Sequence, residues 1–254
     1  MKLEVLGCYG NVTDRCRTSA FLVNDRVLLD AGTVTEVLSP ERLLKISHVC
    51  ISHVHLDHVK GLCSLAEDLS MYEDRSVTVL ADEAVLRDLS RYVFNNVIWP
   101  DFTAIPSSAD PVVVLQALKP SESLSIDTLT IRAIPVKHRV RATGFLVSEE
   151  DKTIMLTSDT GFTEQFWRMA GAEMQPEFII AHVAFPNRMS TLAATAGHMT
   201  LSVLLEQIDH HGLQRVPFYI AHMKSMFEEE IRSEIRSAGR ENIFPLEQGS
   251  VLFV

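Results

Sequence analysis

The chain has 254 residues, 46% hydrophobic and 22% charged, enough to bury a substantial core and without the bias of a disordered or fibrous protein. Its formal net charge of −10 excludes a general cationic surface for gripping long nucleic acid, since that requires Lys and Arg to neutralise many phosphates. A small anionic substrate would need local help, such as metal ions. The first residues, MKLEVLGCYG, lack the basic start and apolar run of a secretory signal, and no apolar stretch approaches the roughly 20 residues that span a bilayer. Cys8, Cys16, Cys50 and Cys63 form no CxxC pair and read as reduced thiols. The expectation is a cytoplasmic protein without membrane segments. No Pro/Gly/Ser-rich linker or charge block divides the chain, so one domain over 1–254 is expected.

In chain order, strands are predicted at 3–6, 19–23 and 26–30, the last ending in the turn Ala31-Gly32. Ser39-Pro40 supplies an N-cap and a first-turn proline for a short helix through Lys45. Residues 48–52 are apolar enough for a buried strand that runs straight into a histidine cluster, after which the chain turns into a helix. Asp82 is placed to cap a helix carrying Val85, Leu86, Leu89 and Val93 on one face, with Trp99-Pro100 beyond its end. Further strands are predicted at 128–136, 144–147, 154–158 and 178–181. Thr200 is placed to cap a helix carrying Leu201, Leu204, Leu205 and Ile208, which Gly212 fits to end. Ser225-x-x-Glu228 reads as a capping box opening a last helix toward Gly239, before a final strand at 251–254. Strand-rich halves with interspersed helices imply a sheet-based core covered by helices.

Within six residues stand His53, His55, Asp57 and His58, a dense set of nitrogen and oxygen donors suited to a borderline metal such as zinc. On an extended strand end, His53 and His55 project from the same face and can reach one ion. As the chain turns into a helix, Asp57 and His58 can point at a second. Three more candidates follow predicted strands: His138 after IPVKH, Asp159 in MLTSDTG and His222 in FYIAHMK. Taken singly they also read as a loop histidine, a turn-capping Asp and a surface histidine; beside the first cluster they read as ligands. Asp159, in a turn before Gly161, is placed to bridge two ions through its two oxygens. Asp30, in LLLDAG, reads either as the carboxylate holding the second nitrogen of a metal-bound histidine or as a plain turn former.

The string His53-Val54-His55-Leu56-Asp57-His58, with His138, Asp159 and His222, resembles the ligand set of the metallo-β-lactamase superfamily across nearly the whole chain. The resemblance implies an α/β (α+β) fold, an αββα sandwich with the metals at one edge of two sheets. It implies that His53, His55 and His138 hold one divalent ion and Asp57, His58 and His222 the other, with Asp159 between them. The expected ions are Zn2+, with Mn2+ or Fe2+ as alternatives. HVHLDHVKGL and the AFPN at 184–187 resemble class II cyclic-nucleotide phosphodiesterases; Gly197-His198-Met199-Thr200 resembles both that family and ribonuclease Z, as GCYGNVTDRCRTSAFLV resembles the start of the latter. Both relatives usually carry a Glu where His182 stands here. His182 therefore reads as a substitute in proton transfer, a mark of a changed substrate, or a plain core or surface histidine.

Water between two divalent ions loses a proton far more readily than in bulk, its pKa falling to about 7 on a metal. Hydroxide at neutral pH would attack phosphorus while ions and nearby donors neutralise the phosphoryl oxygens. Asp57 is a catalytic candidate beside its ligand role. His198, two residues before the Thr200 cap, sits where helix N–H groups favour an anion and is the first choice for a phosphate contact or leaving-group acid; Lys224 is a weaker candidate. The expected function is hydrolysis of a small phosphodiester, a 3′,5′-cyclic nucleotide first. The alternatives are ribonuclease Z-like processing of tRNA 3′ ends and hydrolysis of a carbon ester, thioester or lactam. Only 20 residues separate His138 from Asp159, room for a hairpin but not for the tRNA-gripping arm that many ribonuclease Z members carry there, so nucleic acid is a disfavoured partner. Electron-transfer relatives usually replace the second histidine by Glu, whereas His55 is present. Relatives commonly form dimers, which makes a homodimer one expectation for assembly.

Overall fold

The computed structural model describes residues 1–120 and 122–254. The first half carries strands β1 (Lys2–Gly7), β2 (Ala20–Val23), β3 (Val27–Leu29), β4 (His48–Cys50), β5 (Val77–Ala81), the small hairpin β6 (Pro106–Ser107) and β7 (Asp110–Pro111), and β8 (Val113–Ala117), with helices α1 (Pro40–Leu43), α2 (Leu56–Ser70) and α3 (Glu83–Tyr92). The second half carries β9 (Ser123–Ile126), β10 (Leu129–Val136), β11 (Ala142–Glu149), β12 (Lys152–Leu156), β13 (Phe178–His182), β14 (Phe218–Ala221), β15 (Ile243–Pro245) and β16 (Val251–Phe253). Its helices are α4 (Glu164–Arg168), which runs into a π-helical turn at Met169–Met174, then α5 (Ser190–Ala196), α6 (Leu201–His210) and α7 (Glu228–Ala238).

Two seven-stranded sheets result, in the orders β16-β1-β2-β3-β4-β5-β8 and β15-β14-β13-β12-β11-β10-β9. The two-residue period of each strand sorts its side chains between two cores. In the first sheet Leu28 and Val49 join Leu62, Leu65 and Leu69 of α2, while Leu29 and Cys50 face the second sheet. In the second sheet Phe145, Val147 and Leu156 meet that shared core, while Leu146 and Met155 turn outward to Trp167 of α4, Leu204 of α6 and Ile231 of α7. The result is the αββα sandwich expected. Because both faces are covered, the strands read as continuous apolar runs rather than alternating ones.

The topology gathers several strand ends at one edge. β12, β13 and β14 are mutually parallel, and β10 runs the same way because both it and β12 are antiparallel to β11. β3, β4 and β5 are parallel in the other sheet. The segments that follow β3, β4, β10, β12 and β14 hold Asp30, the histidine cluster, His138, Asp159 and His222 respectively. Gly32 allows the tight junction there: a Cβ on it would lie 2.0 Å from the Asp57 carbonyl oxygen.

Most predicted elements are present with ends moved by a few residues, and helix starts differ more. Asp82 caps α3 by accepting the Ala84 N–H at 2.9 Å. Thr200 occupies the N-cap of α6, but its hydroxyl pairs with Ser202 Oγ at 3.0 Å instead of a backbone amide. The expected capping box at Ser225 does not form. Ser225–Phe227 is a 3₁₀ turn, α7 begins at Glu228, and the two side chains are drawn away: Ser225 Oγ accepts from Asn11 Nδ2, and Glu228 accepts from the Tyr9 hydroxyl.

Phe145 is fully buried between the sheets, whereas Phe253 is 78% exposed. Phe145→Ala is expected to cost about 3–5 kcal/mol of stability through lost burial and the cavity left behind. Phe253→Ala is expected to stay within about 0.5 kcal/mol of wild type. Urea unfolding of both variants measures the contrast.

Candidate metal centre

After β4 the chain stays extended to His55, which has φ −63° and ψ 144° and occupies the N-cap of α2. His53 and His55 therefore share a face, and His53 Nε2 lies 3.1 Å from His55 Nδ1. Leu56 turns outward, 70% exposed, and the first turn of α2 brings Asp57 and His58 back beside them. His138 comes from the segment after β10, with Nε2 3.2 Å from His55 Nδ1.

Two donor groups are formed. His53, His55, His138 and Asp159 make the first; Asp57, His58, His222 and Asp159 make the second, and within each the donor atoms all lie within 4.8 Å of one another. Asp159 belongs to both. Its Oδ2 lies 3.6 Å from His53 Nε2 and 3.4 Å from His58 Nε2, and its Oδ1 lies 3.2 Å from His222 Nε2. Asp57 Oδ2 is 3.8 Å from His58 Nε2 and 3.6 Å from His222 Nε2. All seven residues singled out as ligands in the sequence are brought together.

The far nitrogens of these rings decide what the near ones can do. Asp30 Oδ2 accepts from His58 Nδ1 at 2.7 Å and from Ser52 Oγ at 2.8 Å. With its one proton committed to Asp30, Ser52 Oγ accepts from His53 Nδ1 at 2.9 Å. His138 Nδ1 donates to the Gly197 carbonyl at 2.8 Å. The Nε2 atoms of His53 and His138 therefore carry lone pairs, and both face His55 Nδ1, which can hold at most one proton. His58 Nε2 is buried and makes no hydrogen bond. Converging lone pairs and an orphaned ring nitrogen beside an acceptor-only carboxylate fit divalent cations.

The charge states agree. Burial holds His53 and His222 well below the ordinary imidazole range. Burial also opposes charge on Asp159, but His222 and His58 outweigh it and hold the carboxyl well below its usual value. At His58 burial opposes charge too, and Asp30 and Asp159 override it to raise the ring well above the ordinary range. Cation binding at this ring would release a proton.

The two further candidates also reach Asp159. His182 ends β13 fully inside the protein; its Nδ1 lies 2.9 Å from Asp159 Oδ1, and its ring stacks on His222 at 4.8 Å. His198 is 11% exposed, with Nδ1 3.9 Å from Asp159 Oδ2, and burial pushes its imidazole down to about 4. Lys224 Nζ donates to the Gly10 carbonyl at 3.3 Å and lies 5.6 Å from the centre of the Phe185 ring. Sequence reasoning did not find Ser52 or Gly197 as holders of the rings, because a serine and a carbonyl carry no spacing signal. Nor did it find the cleft of about 370 Å³ beside His138 and His198, whose walls include Lys137, Arg139 and Phe162.

Asp30→Asn keeps the shape of that buried acceptor but removes its charge. Zinc affinity is expected to fall about 10- to 100-fold, read by competition with a chromophoric chelator. Unchanged affinity would remove Asp30 from the site.

Residues 25–223 match the family described as the Beta-lactamase superfamily domain, a span that contains every donor of both groups. A probable 3′,5′-cyclic-nucleotide phosphodiesterase of Yersinia pestis is 27% identical over 90% of this chain and 79% of its own length. A ribonuclease Z of Metallosphaera sedula is 27% identical over 59% of this chain, which spans only half of that relative. Among solved structures, yeast PDE1 superposes with a TM-score of 0.84 at 17% identity, covering 100% of this chain and 99% of its own. The short form of human tRNase Z gives 0.71 at 16% identity, with coverage of 100% and 99%. The chain thus belongs to the β-lactamase superfamily, as a metal-dependent hydrolase of the metallo-β-lactamase fold.

Proposed function

We propose that the chain is a dinuclear phosphodiesterase acting on a small phosphodiester, a 3′,5′-cyclic nucleotide first. The observation that carries this reading is the placing of Asp159 between two otherwise separate donor groups, its carboxylate reaching His53 of the first and His58 and His222 of the second. His53, His55 and His138 would hold one ion, and Asp57, His58 and His222 the other, with Asp159 shared; zinc suits this mixture of imidazole and carboxylate. When bound, such ions supply the Lewis acidity that makes water an effective nucleophile near neutral pH and neutralise charge on phosphoryl oxygens.

The chain's own groups divide the remaining work. Asp57, whose side chain is 29% exposed against 2% for Asp159, is the more accessible carboxylate of the two and can accept a proton from the attacking water. His198 borders the cleft and can donate a hydrogen bond to the phosphoryl group or the leaving oxygen as a neutral imidazole. His182 is closed off from the cleft by burial and acts by holding Asp159 in place. The cleft supports a small substrate. Lys137 and Arg139 are exposed on its wall and form no ion pair among the described residues, an unspent local positive charge on a chain of net charge −10. Phe162, 49% exposed, offers a face on which a base can stack.

The Yersinia phosphodiesterase, matched over most of both chains, supports the cyclic nucleotide. Processing of tRNA is the second reading, supported by the ribonuclease Z relatives. Against it, the span from His138 to Asp159 is taken up by β11, β12 and their tight turn, with no arm.

Zinc-loaded protein is expected to hydrolyse 3′,5′-cyclic AMP or GMP, to lose turnover on chelation and to regain it on readdition; Asp159→Ala is expected to be inactive. Cleavage of bis(p-nitrophenyl) phosphate alone would move the substrate toward RNA or another diester, and no turnover of either would sink the phosphodiesterase reading. Phe162→Ala is expected to raise KM for the cyclic nucleotide about tenfold, the lower part of what base stacking contributes, with kcat little changed.

A further inference from the structure

A second cluster of donors lies apart from the centre. Glu164 opens α4, and His210 and His211 close α6; the three offer one ligand atom each, all within 4.8 Å of one another. His211 Nε2 is 3.7 Å from Glu164 Oε2, too far for a hydrogen bond. That nitrogen is buried without a hydrogen-bond partner, on a side chain only 7% exposed, while the Glu164 side chain facing it is 56% exposed. A buried polar nitrogen is normally paired, and an unpaired one aimed at a carboxylate and beside a second imidazole needs a partner.

The surroundings favour a cation. The last carbonyls of a helix leave a partial negative charge, and the cluster sits at the C-terminal end of α6. The backbone is also shaped around this end. Gly171, in the π-helical turn after α4, packs so closely on it that a Cβ there would lie 2.4 Å from the His211 carbonyl oxygen. Residues 164–174 thus wrap the end of α6, and the donors sit where the two segments meet.

We propose that Glu164, His210 and His211 form a further metal site that takes one zinc ion, with water completing its coordination, and clips the start of α4 to the end of α6. Two imidazoles and one carboxylate are a borderline-soft set that selects zinc over magnesium or calcium. The site does not depend on the chemistry of the main centre. It lies outside the groups assigned to the reaction, so its ion is structural.

The test counts ions on the full-length protein. Wild type, Glu164→Gln and His210→Ala are equilibrated with zinc, passed through gel filtration and assayed for metal per chain, with zinc-dependent change in Tm measured alongside. Both substituted side chains are largely exposed, so the variants are expected to fold; circular dichroism checks this. The expected result is one zinc ion fewer per chain in each variant, a smaller zinc-dependent rise in Tm and unchanged hydrolysis. Equal zinc content and equal Tm shifts in all three would overturn the site. The readout separates from the main centre through Asp159→Ala: zinc lost in Glu164→Gln but not in Asp159→Ala sustains this site even if the dinuclear reading fails.

Discussion

Much of the centre depends on one buried carboxylate. Asp30 is fully buried and accepts the Ser52 amide and hydroxyl and the His58 ring, each at 2.7–2.8 Å. A buried charge is tolerated only when its lone pairs are filled, and here the filling does structural work on two sides. It aims His58 Nε2 into the second donor group. Through the Ser52 proton it also fixes the tautomer of His53, which belongs to the first group. One side chain that touches no expected ion therefore sets the proton arrangement of ligands in both, and it links β3 to the segment after β4.

The backbone around this carboxylate is held in a conformation that side chains resist. Asp30, Ser158 and His222 all have left-handed φ, at 58°, 53° and 64°. For non-glycine residues this costs on the order of 1 kcal/mol or more each and persists only where packing over-determines it. Asp, Asn and His visit this region more readily than most residues; Ser does so less. Each of the three follows a strand of the shared core and sits in or next to the ligand sphere, so the sheets hold the strain that turns the strand ends inward. Gly10 completes the fit at His222, since a Cβ there would meet the His222 ring at 2.9 Å.

The seven candidate ligands were legible in the sequence because four of them crowd into six residues and the others follow recognisable apolar strands. A local cluster needs no knowledge of topology, and strand ends at one edge are what a layered αββα sheet architecture provides. What stayed hidden depends on distant contacts. Nothing near His182 in sequence reveals that its ring lies behind Asp159 and stacks on His222. Ser225-x-x-Glu228 has the letters of a capping box, yet Asn11 and Tyr9, more than 200 residues away, draw its side chains elsewhere. Glu164 and the His210-His211 pair are separated by a strand and a helix, so no window of the sequence shows them as neighbours.

The segment from Asp159 to Glu164 joins these features. It starts at the shared carboxylate, carries Phe162 on the cleft wall and ends at the donor cluster on α4. Two contacts with the neighbouring loop hold it: Gly161 N–H donates to the Lys137 carbonyl at 2.8 Å, and Lys137 N–H donates to Thr163 Oγ1 at 2.8 Å. Lys137 adjoins His138, so the same hydrogen bonds tie two ligand loops together. An ion on Glu164 would restrain the far end of a six-residue span whose near end is the shared carboxylate and whose middle carries Phe162. Restraint there stays local to the start of α4, because Asp159 is already fixed by its buried contacts with His182 and His222, and the hydrogen bonds to Lys137 hold the residues between.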